Sequence, residues 1–162
     1  MRARYCLVVL CLAALALTAA PAAAQTADRP TLTSGAAMTM IHGCLSKAAE
    51  EGWRMHIAII DNHGNLRAYH RMDDAQLLSH DIAMAKARSS ALSPRSTEEW
   101  GQAAFGNGVS PVAFVPGLNF FQGGLPIRTA DGQHLGGIGV SGDSGANDAI
   151  CAQAGIEAAG LN

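Results

Sequence analysis

The spacing of apolar residues predicts a long helix near each end of the chain. Between residues 33 and 51 they recur at helical intervals and form one stripe, which consists of Ala37, Met40, Ile41, Cys44, Leu45 and Ala48. Gly52 follows and suits the left-handed turn that ends many helices. A second helix is predicted over residues 146–159, with Asp143 or Ser144 as its cap. Its apolar face includes Ile150, Cys151, Ala154 and Ala158.

Shorter apolar runs bounded by turn residues predict two β-hairpins. In the first, the apolar strand Met55–Asp61 is followed by a polar turn and the return strand Leu66–Met72. The return strand alternates, with Arg67, Tyr69 and Arg71 on one face and Leu66, Ala68, His70 and Met72 on the other. In the second hairpin, an Asp-Gly turn joins Leu125–Thr129 to His134–Ser141.

The middle of the chain predicts two more helices and a fifth strand. Ser79 is placed to cap a helix over His80–Leu92. Ser96 and Glu99 have the spacing of a capping box and start a shorter helix. A short strand is predicted at Val112–Val115. The expected fold is therefore an α+β two-layer domain, with a roughly five-stranded, mainly antiparallel sheet and flanking helices.

The N-terminus predicts export. Arg2 and Arg4 precede the apolar run Tyr5–Leu17, and small residues then lead to Ala24, which is the pattern of a cleaved secretory signal peptide over residues 1–24. The alternative is an uncleaved anchor. No later apolar run is long enough to span a membrane, so we expect a periplasmic or secreted protein.

Cleavage would leave a flexible lead-in at 25–31 and a single domain at 32–162. It would remove two of the 11 basic residues and none of the 13 acidic ones, so the formal net charge becomes −4. Because no basic run is present either, nucleic acid is not an expected partner.

Two cysteines, Cys44 and Cys151, survive cleavage. In an oxidising compartment such a pair is typical of one disulfide, and the alternative is two separate buried thiols. A disulfide predicts that the first and last helices pack side by side on one face of the sheet.

Glycine is concentrated between Pro116 and Gly142, a stretch with eight of the 18 glycines. Phe120 and Phe121 stand there beside Gly123-Gly124, which suits a flat apolar ligand or a partner surface; alternatively the two rings fill the core.

Residues 137–142 match G-x-G-x-x-G, but the glycines lie inside a predicted strand, and the chain ends before the acidic residue that dinucleotide binding requires. These glycines instead indicate close approach of a helix, a partner or a ligand.

The histidines suggest two kinds of site. His56 and His70 lie nearly opposite each other in the first hairpin and, with a third ligand, could hold Zn or Cu, although a one-residue change of register would separate them. His80 begins a helix beside Asp81 and is exposed enough to ligate haem iron, or else is an ordinary surface residue. His42 lies in the first helix.

Several ordered motifs identify a family. They are IAIIDNHGNL at 57–66, Arg71-Met72-Asp73, Asp81-Ile82-Ala83 with Lys86-Ala87-Arg88, Pro116-Gly117-Leu118, 123–127, 136–142 and Asp148. From about Leu32 to Gly160 the chain resembles the GlcG/HbpS-like family, a haem-binding or haem-degrading domain family. The resemblance implies a profilin-like or sensor-like fold and dimers or higher homo-oligomers. It also implies that some relatives bind haem, whereas others have no settled activity.

The leading hypothesis is an exported, homo-oligomeric protein that binds haem or another tetrapyrrole, as a sensor accessory, a store or a degrading protein. Haem would lie against the loop at 116–126 and the helix at 80–92. The candidate residues are His80 as first iron ligand, His42 and His70 after it, Lys86 and Arg88 for the propionates, and Phe120, Phe121, Gly123 and Gly124 in the loop. The alternatives are an enzyme of small carboxylates, related to 2-hydroxy acids and using Asp61, Lys86 and Arg71, and a non-catalytic oligomeric interaction module.

Overall fold

The computed structural model describes residues 29–162. The predicted signal peptide and the first four residues of the lead-in lie outside the described residues. Residues 29–31 are exposed and form no helix or strand, and Leu32 is the first buried residue. Within the described part of the chain, no helix is long and apolar enough to cross a membrane.

The domain contains a four-stranded sheet and four α-helices. The helices are α1 (Ser34–Glu51), α2 (Ser79–Leu92), α3 (Thr97–Phe105) and α4 (Gly145–Ala158). The strands are β1 (His56–Asp61), β2 (Leu66–Arg71), β3 (Gly124–Arg128) and β4 (His134–Ser141). The predicted α+β class is confirmed.

Two local predictions are wrong. The segment predicted as a fifth strand, Val112–Val115, contains most of a 3₁₀ helix at Pro111–Phe114. Proline has no N–H and a fixed φ, so Pro111 suits the first position of a helical turn. Ser79 is the first residue of α2 rather than its cap, and it is buried. The capping box of Ser96 and Glu99 is present as predicted.

The strand order is β2-β1-β4-β3, and all neighbouring strands are antiparallel. Helix α2 covers one face of the sheet, and α1 with α4 covers the other. Alternate residues of β1 therefore belong to different layers: Ile57 and Ile59 pack in the core beneath α1 and α4, whereas Ala58 and Ile60 face α2.

The glycines of β4 allow α2 to lie directly on the sheet. A Cβ atom at Gly137 would lie 2.5 Å from both the Ala87 oxygen and the Ala91 nitrogen, and one at Gly139 would meet backbone atoms of Ala83 and Ala87. The glycine pattern therefore marks close packing by a helix, which is one of the alternatives that the sequence indicates.

On the opposite face, α1 and α4 lie in close contact. Cys44 and Cys151 are fully buried and are joined by a disulfide, with their Cα atoms 4.7 Å apart. Gly43 and Gly155 lie at the same contact, because a Cβ atom at either would lie within 2.8 Å of a backbone oxygen of the other helix.

Candidate functional site

A cavity of about 360 Å³ lies beside the first turns of α2 and α4, next to the loop that precedes β3. Its apolar lining comes from Ile82, Phe120 and Phe121. Its polar lining includes Lys86, Ser141 and Asp148. A concave site with apolar walls and a few convergent polar groups is the usual form of a small-molecule site.

The floor of the cavity is a buried ion pair between α2 and α4. Lys86 Nζ donates hydrogen bonds to Asp148 Oδ2 at 2.6 Å and to the Val140 carbonyl oxygen at 2.8 Å. Both residues are at most 2% exposed. Burial lowers the pKa of Lys86, although Asp148 opposes this shift, and burial raises the pKa of Asp148 against the effect of Lys86.

The two glycines of the loop give it room to pass over this pair. Gly123 has a φ of +115°, and a Cβ atom there would lie 2.5 Å from Asp148 Cβ and 2.9 Å from Lys86 Nζ. A Cβ atom at Gly124 would lie 2.5 Å from the Thr97 methyl group. Gly123 is therefore required for packing against the cavity floor, and Gly124 for packing against Thr97 and the backbone of α2.

Next to the cavity, two histidines and a tyrosine form a hydrogen-bonded chain. The Tyr69 hydroxyl lies 2.5 Å from His56 Nδ1 and 2.8 Å from His80 Nδ1. His56 is 1% exposed, and the pairing of β1 with β4 places it opposite Ser141 of the cavity lining. The chain thus connects the half-exposed ring of His80 with a buried imidazole beside the cavity.

Burial lowers the pKa of His56, and the positive charge of Arg71 acts in the same direction. Burial also raises the pKa of Tyr69. The neutral forms of both groups are therefore favoured inside the fold. His56 Nε2 is buried without a hydrogen-bond partner among the described residues.

The sequence did not predict these hydrogen bonds between His56, Tyr69 and His80, because they depend on strand register. Arg71 lies opposite His56 and His70 opposite Ile57, so His56 and His70 occupy different faces of the sheet. The suggested metal site of His56 and His70 is therefore wrong. No group of three or more potential metal-ligating side chains occurs within residues 29–162. The feature of the sequence that could have predicted the hydrogen-bonded chain is the alternation of side chains along β2, which puts Tyr69 on the face opposite His70.

The remaining haem candidates are distributed over both sides of the molecule. His42 is exposed on α1, and His70 is exposed on the same side of the sheet, whereas His80 is on the α2 side. Arg88 is exposed on α2. The structure thus does not bring the three histidines into one site.

The loop phenylalanines are not part of either core cluster. Phe120 is half-buried and packs edge-on against Phe105 at a centroid distance of 5.3 Å. Phe121 is 64% exposed at the cavity. The alternative that these rings fill the core is therefore wrong, and the Phe121 ring is accessible at the cavity.

The residues proposed for an enzyme of small carboxylates are also separated. Asp61 lies beside the turn of the first hairpin and accepts the N–H groups of His63 and Asn65, while Arg71 lies at the other end of that hairpin. Burial alone would raise the pKa of Asp61, but these N–H groups and Arg67, at 2.8 Å, hold it below its usual value. Asp61 therefore stabilises a turn, at a distance from Lys86.

A family model described as haem degrading protein HbpS-like matches residues 32–157. The chain belongs to the HbpS-like family. Protein GlcG of Escherichia coli K12 is 36% identical to it over 110 residues, which are 68% of this chain and 81% of GlcG.

Solved structures share the HbpS-like fold. A double mutant of Streptomyces reticuli HbpS is 32% identical, with a TM-score of 0.73 over 86% of this chain and 97% of HbpS. PduOC, solved as a complex with haem, has a TM-score of 0.75 over 82% of this chain and 98% of its own. Its identity is 24%, so this likeness concerns the fold.

Proposed function

We propose that this protein binds haem or another tetrapyrrole, that His80 is the axial ligand of the iron, and that the protein acts in the periplasm or outside the cell. Membership of a family described as haem degrading and HbpS-like supports a haem-related role. The observation that carries the choice of ligand is the environment of the His80 ring.

The His80 imidazole has one nitrogen occupied and the other available. Its Nδ1 is 2.8 Å from the Tyr69 hydroxyl, whereas its Nε2 makes no hydrogen bond to the described residues and lies 3.9 Å from Asp81 Oδ1. The side chain is 51% exposed. An imidazole that is oriented through one nitrogen and presents the other is the usual arrangement of a metal-ligating histidine.

Nearby groups suit the rest of a tetrapyrrole. Phe121 presents an exposed aromatic ring at the adjacent cavity, which fits the apolar faces of haem. The exposed guanidinium of Arg88 is our candidate partner for a propionate, since the Lys86 ammonium already contacts Asp148. PduOC is a fold neighbour that was solved with haem.

A haemin titration of the protein from residue 25 onward, followed by the Soret band, tests the proposal. We expect a shifted band that saturates at a fixed ratio and that changes in His80→Ala. The controls are His42→Ala and His70→Ala, whose rings are exposed on the other side of the sheet and should leave the band unchanged. A band that never saturates would refute haem binding, and an unchanged band in His80→Ala would refute the ligand. Loss of the band after addition of a reductant would indicate degradation rather than storage.

We also propose that the protein self-associates, because apolar side chains are exposed around α3 and the 3₁₀ helix. Phe114 is 76% exposed, Val109 68% and Phe105 51%. Light scattering should show a dimer or larger assembly that Phe114→Glu weakens. A monomer at all concentrations would contradict this part of the proposal.

Export is tested by the mass of the protein recovered from the periplasm or the medium. Cleavage after Ala24 predicts a chain that begins at Gln25. Retention of the full-length chain in the cytoplasm would contradict it.

A further inference from the structure

The Tyr69 hydroxyl joins two imidazoles but has a single proton to donate. Its oxygen lies 2.8 Å from His80 Nδ1 and 2.5 Å from His56 Nδ1. A hydroxyl donates to one such nitrogen and accepts from the other. The chain of hydrogen bonds therefore runs in one of two directions, and the direction decides which nitrogen of each neutral imidazole carries the proton.

The surroundings of His56 favour one direction. Burial is the main influence on the pKa of His56 and lowers it, but the backbone oxygens of Gln76 and Ala75 lie near enough to act the opposite way. Because Tyr69 takes Nδ1, these oxygens face Nε2, where neither makes a full hydrogen bond. Carbonyl oxygens only accept, so they favour a proton on Nε2 and leave the Nδ1 lone pair to accept the Tyr69 hydroxyl.

The His80 end of the chain is compatible with this direction. When Tyr69 donates to His56, its oxygen accepts the proton of His80 Nδ1, and the Nε2 of His80 carries a lone pair. Asp81 Oδ1 is 3.9 Å from this Nε2, which is too far for a hydrogen bond that would hold a proton there. The His80 side chain is half-exposed, so the lone pair is open to a ligand.

We infer that Tyr69 and His56 are positioning residues that hold His80 in the Nδ1–H tautomer and so keep its Nε2 lone pair available to the haem iron. These roles deepen the proposed function, on which they rest, because they assign the iron-binding form of His80 to two residues that would not themselves bind iron. The three side chains come from β1, β2 and α2. Tertiary packing thus sets the tautomer before any ligand binds.

Proton–nitrogen correlation NMR of the histidine rings, in the haem-free protein from residue 25 onward, tests this assignment. At about pH 8.5, which is roughly two units above the usual histidine pKa, the rings are neutral and the nitrogen shifts show which atom carries the proton. We expect Nδ1–H for His80 and Nε2–H for His56. His134 is the internal standard, because its Nε2 lies 2.9 Å from the Ser90 carbonyl oxygen and must donate to it. Nε2–H at His80, or a mixture of both forms, would overturn the inference.

Two variants separate positioning from a merely structural role. Tyr69→Phe removes only the hydroxyl and should leave His80 as a mixture of tautomers. His56→Phe removes the acceptor, so the Tyr69 hydroxyl becomes free to donate to His80 Nδ1 and should shift His80 toward Nε2–H. His70→Ala, on the other face of the sheet, is the control and should leave the His80 signals unchanged. An unchanged His80 tautomer in Tyr69→Phe would overturn the inference, and this variant decides alone if His56→Phe fails to fold.

Haemin affinity separates failure of the inference from failure of the proposed function. Tyr69→Phe should weaken haemin binding by about tenfold to a hundredfold, as is usual when the group that orients a metal-binding histidine is removed. Undiminished affinity in this variant, despite a changed His80 tautomer, would overturn the positioning role. The expected tautomers in a protein that shows no saturable haemin binding would confirm the direction of the hydrogen bonds and refute the proposed function.

Discussion

Reduction of the disulfide between α1 and α4 should lower the free energy of unfolding by several kcal/mol. The two cysteines are 107 residues apart in sequence. A crosslink that closes a loop of this length removes enough entropy from the unfolded chain to contribute about 4.8 kcal/mol at 25 °C in the chain-entropy model. The Cα–Cα distance of 4.7 Å lies in the normal range for a disulfide, so the bridge requires no displacement of the helices.

The close contact between α1 and α4 should persist after reduction. A Cβ atom added at Gly43 would lie 2.8 Å from the Ala154 oxygen, and one added at Gly155 would lie 2.7 Å from the Met40 oxygen. The two helices therefore contact each other through their backbones. The effect of the disulfide is therefore expected mainly in the unfolded state.

Urea unfolding followed by the fluorescence of Trp53 and Trp100 measures this difference. The reduced protein is prepared by unfolding it with a phosphine reductant and refolding it in the same reductant. We expect its midpoint to be lower by about 2 M urea. The matched control is the double variant Cys44→Ala with Cys151→Ala, whose stability the reductant should not change. A difference below about 1 kcal/mol between oxidised and reduced protein would refute the entropic reasoning.

Three further predictions concern single residues. Gly139→Ala introduces a Cβ atom against the backbone of α2 and should lower the free energy of unfolding by about 1–3 kcal/mol, measured in urea. Asp61→Ala leaves two N–H groups of the hairpin turn without their acceptor and should lower it by about 2–3 kcal/mol. Burial lowers the pKa of His56 from its ordinary value of 6.5. At pH values between the folded pKa and 6.5, the unfolded chain therefore binds a proton at His56 that the folded chain does not bind. Stability should therefore fall as the pH decreases from 6.5 toward the folded pKa, and His56→Phe should reduce this dependence.

Each of these predictions has its own control or contrary result. Gly35→Ala is the control for Gly139, because a Cβ atom there would meet only Thr33 Oγ1 at 4.0 Å and alanine favours the helix. Asp61→Asn keeps a side-chain oxygen and should be less destabilising than Asp61→Ala. Equal losses in these two variants would show that the acceptor oxygen does not stabilise the turn. An unchanged pH dependence in His56→Phe would assign that dependence to other groups.

Most of the secondary structure could be predicted from local sequence. Helix and strand periods, the capping box of Ser96 and Glu99, and the glycine after α1 act within a few residues of each other, so the sequence displays them directly. The segment after Pro111 was misassigned because a short apolar run is compatible with either a strand or a helical turn.

The candidate site, in contrast, depends on contacts between distant residues. Lys86 and Asp148 are 62 residues apart in the sequence, and local preferences do not indicate that the two side chains come into contact. His56 joins Tyr69 and His80 because the register of β1 and β2 places it on the α2 face, and a shift of one residue would put it on the other.

Local patterns along the chain thus predict the α+β class, the main helices and strands in their order, and the glycines at which another part of the structure comes close. Which polar groups share a face, which lysine is buried and where the cavity lies depend on tertiary packing. Periodicity and turn chemistry act along the chain, whereas burial, ion pairing and register arise when separate elements pack together.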